Sequence, residues 1–357
     1  MVREEYRFAL ELERPDETSL GQFGVTMDWE PAREWARLSA LRAGMRDAAQ
    51  SVAPIVVKPQ WDAAAGEPFV GGVQVSLDGV SVVVPLTYFR ATADRLAQGL
   101  VQQQLLKAGE LYNFSVLAFP QERRAPARRG LAFTVEEVAP VPTLKRGRLE
   151  EFLDGAAEFG VHRAEDVPVF VPQAVLDEAM AMTRQAEANE IGGILIGHLC
   201  ADDGGRDLFI EVTALIPARH TLSETTKLTF MPETWAAVDA AIKLRGCREQ
   251  MLGWFHSHPS KYWCSAECPA EKRQQCILNR TFFSGEDCTL HRTVFPMAYG
   301  VALLVTHTDA GLNGAMFGWR EGMIAQRGFH ILNATNSVTG AGAAEVTIGG
   351  DNEKDCH

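Results

Sequence analysis

The spacing of apolar residues changes period along the chain, and each change marks an element. Tyr6, Phe8, Leu10 and Leu12 alternate with Arg7, Ala9, Glu11 and Glu13, the pattern of a half-buried strand. Trp35, Leu38, Leu41 and Met45 recur at helical spacing after Pro31, a residue suited to a first helical turn. Val73, Val75 and Leu77, then Asp78-Gly79, then Val80, Val82 and Val84 predict a hairpin with a type I′ turn. Leu96, Leu100 and Leu105 predict a further helix closed near Gly109, and 112–119 returns as a strand. Residues 1–120 therefore read as a separate α+β domain, and they contain no histidine and no cysteine.

Residues 120–130 are polar, basic and proline-bearing, and 121–166 reads as a linker and connecting segment. The four arginines there lack interleaved aromatics, which disfavours an RNA-binding role. Beyond them, 167–171 reads as a short strand at a sheet edge, because Pro168 cannot donate to a ladder. Residues 172–188 read as a helix, 191–199 as a glycine-bearing strand and 208–215 as its antiparallel neighbour. Residues 232–244 read as a helix leading to an apolar strand, Met251, Leu252, Trp254 and Phe255. From 336 to 357 the chain is rich in Gly, Ala, Thr and Asn and reads as a flexible tail.

At 357 residues the chain is long enough for two domains. A formal net charge of -12 disfavours a general nucleic-acid binder, which needs a basic face. There is no run near the roughly 18 apolar residues of a membrane span, and no basic, apolar leader at Met1–Arg7. A cytoplasmic location is the expectation. Four of the seven cysteines, Cys264, Cys268, Cys276 and Cys288, crowd together, which in a cytoplasmic chain suggests metal more than disulfides.

The chemistry concentrates where the apolar strand ends, in Gly253-Trp254-Phe255-His256-Ser257-His258-Pro259. At spacing i, i+2 the two imidazoles lie on one side of an extended chain, as gripping one metal ion requires. Ser257 points the other way and reads as structural. Downstream, Ser284-Gly285-Glu286-Asp287 opens an amphipathic segment, as a helix N-cap with first-turn acids would. A carboxylate held in that turn is also a rigid candidate ligand. Upstream, Glu190 stands at the head of a continuous apolar strand, where an unpaired charge is costly.

Glu190, His256-x-His258-Pro and Ser284-x-x-Asp287, in that order, resemble the JAMM (MPN-plus, JAB) zinc metalloproteases, and in particular a prokaryotic deubiquitinase-like member. The resemblance covers 167–335, including the flanks Glu190–Gly197 and Phe295–Val305. It implies a cytidine-deaminase-like mixed sheet flanked by helices. It implies a catalytic Zn2+ held by His256, His258 and Asp287 with a fourth position open for water. Glu190 would be the general base and Ser284 the oxyanion donor. The substrate implied is a peptide or isopeptide bond after the C-terminus of ubiquitin or a ubiquitin-like protein, with cognate activating and conjugating enzymes as further partners.

The chain departs from that family in the length of 259–283, which separates the second histidine from Ser284. Cys264, Cys268 and Cys276 lie in this insertion, with Cys288 and His291 just beyond. Some deubiquitinating relatives carry a second, structural zinc in the equivalent insertion, and four of these five residues could close such a site here. His291 falls one turn after Asp287 and could instead support the catalytic centre. Three other readings stay open. The chain could process or desulfurise a sulfur-carrier protein, or be a non-catalytic MPN-type scaffold. It could also be a cysteine protease pairing Cys264 or Cys268 with His291.

Overall fold

The structure, a computed structural model, describes residues 2–121, 142–205, 207–218, 221–224, 227–263, 269, 272 and 280–333. Most of the basic segment, the insertion cysteines Cys264, Cys268 and Cys276, and the tail lie outside the described residues. The chain divides into two compact units, Met1–Val141 with Glu321–Met323, and Pro142–Arg320 with Ile324–Cys356.

The first unit contains β1 (Val2–Glu4), β2 (Tyr6–Glu13), β3 (Ser19–Val25), α1 (Glu30–Arg42), α2 (Arg46–Ala49), β4 (Ile55–Trp61), β5 (Val70–Leu77), β6 (Val80–Val84), α3 (Arg90–Gln102) and β7 (Asn113–Pro120). Its sheets run β1-β4-β5-β6 and β3-β2-β7. Leu10, Leu12, Ile55, Val73, Val75 and Leu77 are wholly buried, around an aromatic group of Phe8, Trp29 and Phe89. Asp78 (φ 42°) and Gly79 (φ 86°) both take the left-handed conformation that a type I′ turn demands. The helix expected to include Leu105 stops at Gln102, because Gln104 turns out of it at φ 62°, and Leu105 is exposed.

The second unit contains β8 (Leu144–Gly147), α4 (Leu149–Leu153), β9 (Ala157–Phe159), β10 (Val169–Pro172), α5 (Gln173–Ala186), β11 (Gly192–Asp202), β12 (Leu208–Pro217), β13 (Thr221–Glu224), β14 (Lys227–Phe230), α6 (Pro232–Arg245), β15 (Gln250–His258), α7 (Ser260–Trp263), α8 (Gly285–Val294), β16 (Val301–Thr308), β17 (Gly311–Arg320), β18 (Met323–Arg327) and β19 (Phe329–Leu332). One mixed sheet runs β18-β17-β16-β15-β11-β12-β10-β19-β9, with β8 on the far end of β11. This is the mixed α/β architecture expected, preceded by a separate β-rich unit.

β10 is not an edge strand. It pairs with both β12 and β19. Pro168 stays out of the strand, where its lack of an N–H does no harm, and its carbonyl accepts from the Ile210 N–H.

Two glycines let the central strands meet. A Cβ at Gly253 would lie 1.7 Å from the Val301 carbonyl oxygen, and one at Gly197 would lie 1.9 Å from that of Glu211. Both sit beside register shifts in β11, where its ladders to β15 and β12 slip by one residue.

The sheet curls so that distant strands touch. Asp166, just ahead of β10, takes two hydrogen bonds from Arg320 at the end of β17, at 2.9 and 2.8 Å, and both residues are buried. Burial by itself would raise the Asp166 carboxyl, but the Arg320 hydrogen bonds and the Arg327 and Arg320 charges outweigh it and hold it low. Asp166→Ala strands a buried guanidinium and should cost about 3–5 kcal/mol in urea unfolding. The pair's contribution is complete above the unfolded carboxyl's value of about 3.9 and is lost as pH falls through the lower, folded one. An Asp166→Ala protein as stable as wild type at pH 7 would contradict this.

Candidate metal centre

β15 lies between β11 and β16, so its C-terminal end is held from both sides. Trp254, His256 and His258 alternate onto one face of it, and all are 2% exposed or less. Opposite stands the first turn of α8. Ser284 caps it: the Ser284 Oγ accepts from the Asp287 N–H at 3.1 Å, and Asp287 Oδ2 accepts from the Ser284 N–H at 2.7 Å. This capping box fixes the Asp287 carboxylate. Its Oδ1 lies 3.2 Å from His256 Nε2 and its Oδ2 3.3 Å from His258 Nε2.

These three side chains each offer a ligand atom within 4.8 Å of the others. His256 Nδ1 and Nε2 and His258 Nδ1 are buried with no hydrogen-bond partner among the described residues. Thus the His256 Nε2 approaches the carboxylate without hydrogen-bond geometry. Two imidazoles and a carboxylate, buried and converging, are a donor set that fits Zn2+ with one position left open. Burial lowers the His258 pKa, against the pull of Asp287, so this ring is biased toward the neutral form a metal needs. Burial would raise the Asp287 carboxyl, but the His256 and His258 imidazoles hold it far below the usual range.

The register of β11 against β15 brings in Glu190. Gly192 pairs with His256, so the chain just ahead of β11 runs alongside His258. Ser257 clamps it there from the strand's other face: its N–H donates to the Ile191 carbonyl at 2.9 Å and its Oγ accepts from the Ile191 N–H at 3.1 Å. Glu190 is 5% exposed, and its carboxyl is pushed up to about 8, by burial first and then by the Asp287 and Glu286 carboxylates.

Aromatic rings wall the site. Trp254 stacks on His256 at 4.3 Å, and Trp263 and Phe282 each lie 5.1 Å from the His258 ring. The sequence reading did not single out these rings; the period-two run from Trp254 through His258 was the available signal. Cys288 and His291, the two described candidates for a second zinc, are buried on α8. His291 Nδ1 accepts from the Trp254 indole N–H at 3.0 Å.

Ser257→Ala should leave the Ile191 N–H unpaired and lower unfolding stability by about 1–3 kcal/mol. Metal affinity should be kept, since neither imidazole loses a contact. Unchanged stability would show that the clamp is dispensable.

No helix among the described residues is long and apolar enough to cross a membrane. No curated protein matches the chain. A solution structure of protein DSY2949 from Desulfitobacterium hafniense aligns with 17% sequence identity over 48% of this chain and 97% of that one, at a TM-score of 0.31. Residues 167–274 match the family described as JAB1/Mov34/MPN/PAD-1 ubiquitin protease. That stretch includes Glu190, His256 and His258 and ends before Ser284 and Asp287, and it supports a JAB/MPN domain in the second unit.

Proposed function

We propose that this chain is a zinc-dependent peptidase that cuts after the C-terminus of a ubiquitin-like protein, as a deubiquitinase-like isopeptidase. The observation that carries the reading is the convergence of His256, His258 and Asp287, with the buried Glu190 close enough for the Asp287 charge to help push its carboxyl up to about 8. The substrate class follows the JAB/MPN match, whose family is described as a ubiquitin protease.

In this reading His256, His258 and Asp287 would hold zinc, which would supply Lewis-acid polarisation of the scissile carbonyl and activation of water. Glu190 takes the proton from the attacking water on its carboxylate and hands it to the leaving amine. Its raised pKa suits both steps near neutral pH; a cation beside Asp287 would draw that pKa down, because it offsets the Asp287 charge. Ser284 keeps its Oγ lone pair on the Asp287 N–H and turns its hydroxyl proton toward the developing oxyanion. The walls of Trp254, Trp263, Phe282 and Phe283 exclude bulk water and strengthen these interactions.

We assign the first unit, which carries no histidine or cysteine within 1–120, to recruiting the protein substrate or a partner. Binding energy gained away from the scissile bond would seat the tail in the cleft. The cysteine-rich insertion remains the candidate for a structural zinc through Cys264, Cys268 and Cys276 with Cys288 as the fourth ligand. We place the chain in the cytoplasm, as its sequence suggests.

Glu190→Gln should retain zinc yet lose at least about 100-fold in cleavage of a ubiquitin-like fusion. Full activity in that variant would remove the mechanism. Metal analysis of the purified protein should return close to two zincs per chain if the insertion binds one. A single zinc, unchanged in a Cys264→Ser, Cys268→Ser double variant, would leave the insertion a thiol-bearing loop.

A further inference from the structure

A ring that ligates a metal is ordinarily oriented by a hydrogen bond from its other nitrogen to a carboxylate or carbonyl. His256 has no such partner among the described residues. Its Nδ1 is buried and unpaired among the described residues. Its ring lies instead flat against the Trp254 indole, 4.3 Å between centroids and 12° between planes.

The indole is itself fixed at its only polar atom. Trp254 Nε1 donates to His291 Nδ1 at 3.0 Å, with Trp254 1% exposed and His291 0%. Because Nδ1 accepts, the His291 proton sits on Nε2, which is buried with no hydrogen-bond partner among the described residues. Phe283, Phe295 and Trp319 pack around the ring. Burial holds its pKa down to about 3, so the acceptor is not lost to protonation at any ordinary pH.

The geometry that allows this is a match of pitch. Asp287 and His291 are four residues apart on α8, a rise of about 6 Å. His256 and Trp254 are two residues apart on β15, a rise of about 6.6 Å. Helix and strand therefore meet at two successive rungs: Asp287 against the imidazoles, and His291 against the indole.

We propose that His291 is a positioning residue for the metal centre, acting through Trp254 to hold the His256 ring in its ligating orientation, and not a ligand of a second metal. The inference rests on the zinc site proposed above.

Full-length protein is stripped of metal and titrated with Co2+, reading both affinity and the visible spectrum of the bound ion. His291→Leu removes the acceptor and should weaken binding by roughly 10–100-fold with a changed spectrum, the usual scale for residues behind a metal ligand. His291→Gln offers an amide oxygen to the same indole N–H and should restore the wild-type spectrum and most of the affinity. Trp254→Phe keeps a ring on His256 but lacks the N–H; it should weaken binding, and adding His291→Leu to it should weaken it no further. Should His291→Leu alone fail to fold, the Trp254→Phe and His291→Gln proteins decide the matter.

Wild-type affinity and spectrum in His291→Leu or in Trp254→Phe would overturn the inference while leaving the zinc site standing. A fall in metal stoichiometry by one in His291→Gln would overturn it in favour of direct ligation. Absence of Co2+ binding by the wild-type protein would overturn the site itself.

Discussion

A slip of one residue between Gly192–Asp202 and Gln250–His258 would turn every side chain of one strand to the opposite face. The candidate centre cannot survive that slip. Gly192 opposite His256 sets where Glu190 falls, and Ser257 between the two imidazoles locks the pairing through both its backbone and its hydroxyl. The glycines at 193, 197 and 253 permit this central packing, since a side chain at any of them would collide with a neighbouring strand's backbone. The curl closed by Asp166 and Arg320 belongs to the same framework.

On that framework, burial and convergence decide the electrostatics. Three groups that prefer water, two imidazoles and a carboxylate, are held together out of it. Against burial, the two imidazoles hold the Asp287 carboxyl low, while burial and the Asp287 and Glu286 carboxylates push the Glu190 carboxyl up to about 8. The same sites explain why the arrangement is specific. Ser284 and Asp287 satisfy each other's backbone as a helix cap, so the Asp287 carboxylate is placed by folding.

Much of this was legible in the sequence because it is local. His256-x-His258 at the end of an apolar run, the Ser284-x-x-Asp287 cap and the Asp78-Gly79 turn each carry their geometry within a few residues. The hydrogen bond between Trp254 and His291 was not, since it depends on how a helix registers against a strand 37 residues away. The same applies to β8 and β9: both are short, and their pairing partners lie far along the chain. Pro168 misled for a related reason. A proline excludes only its own position from a ladder, and β10 begins one residue later, between two parallel partners.

The most direct test of the account is the zinc content of the full chain beside that of a His256→Ala, His258→Ala double variant, both refolded in excess zinc and desalted. The account predicts that the double variant carries one zinc fewer per chain, whatever the insertion binds. Equal zinc content in the two proteins would contradict it.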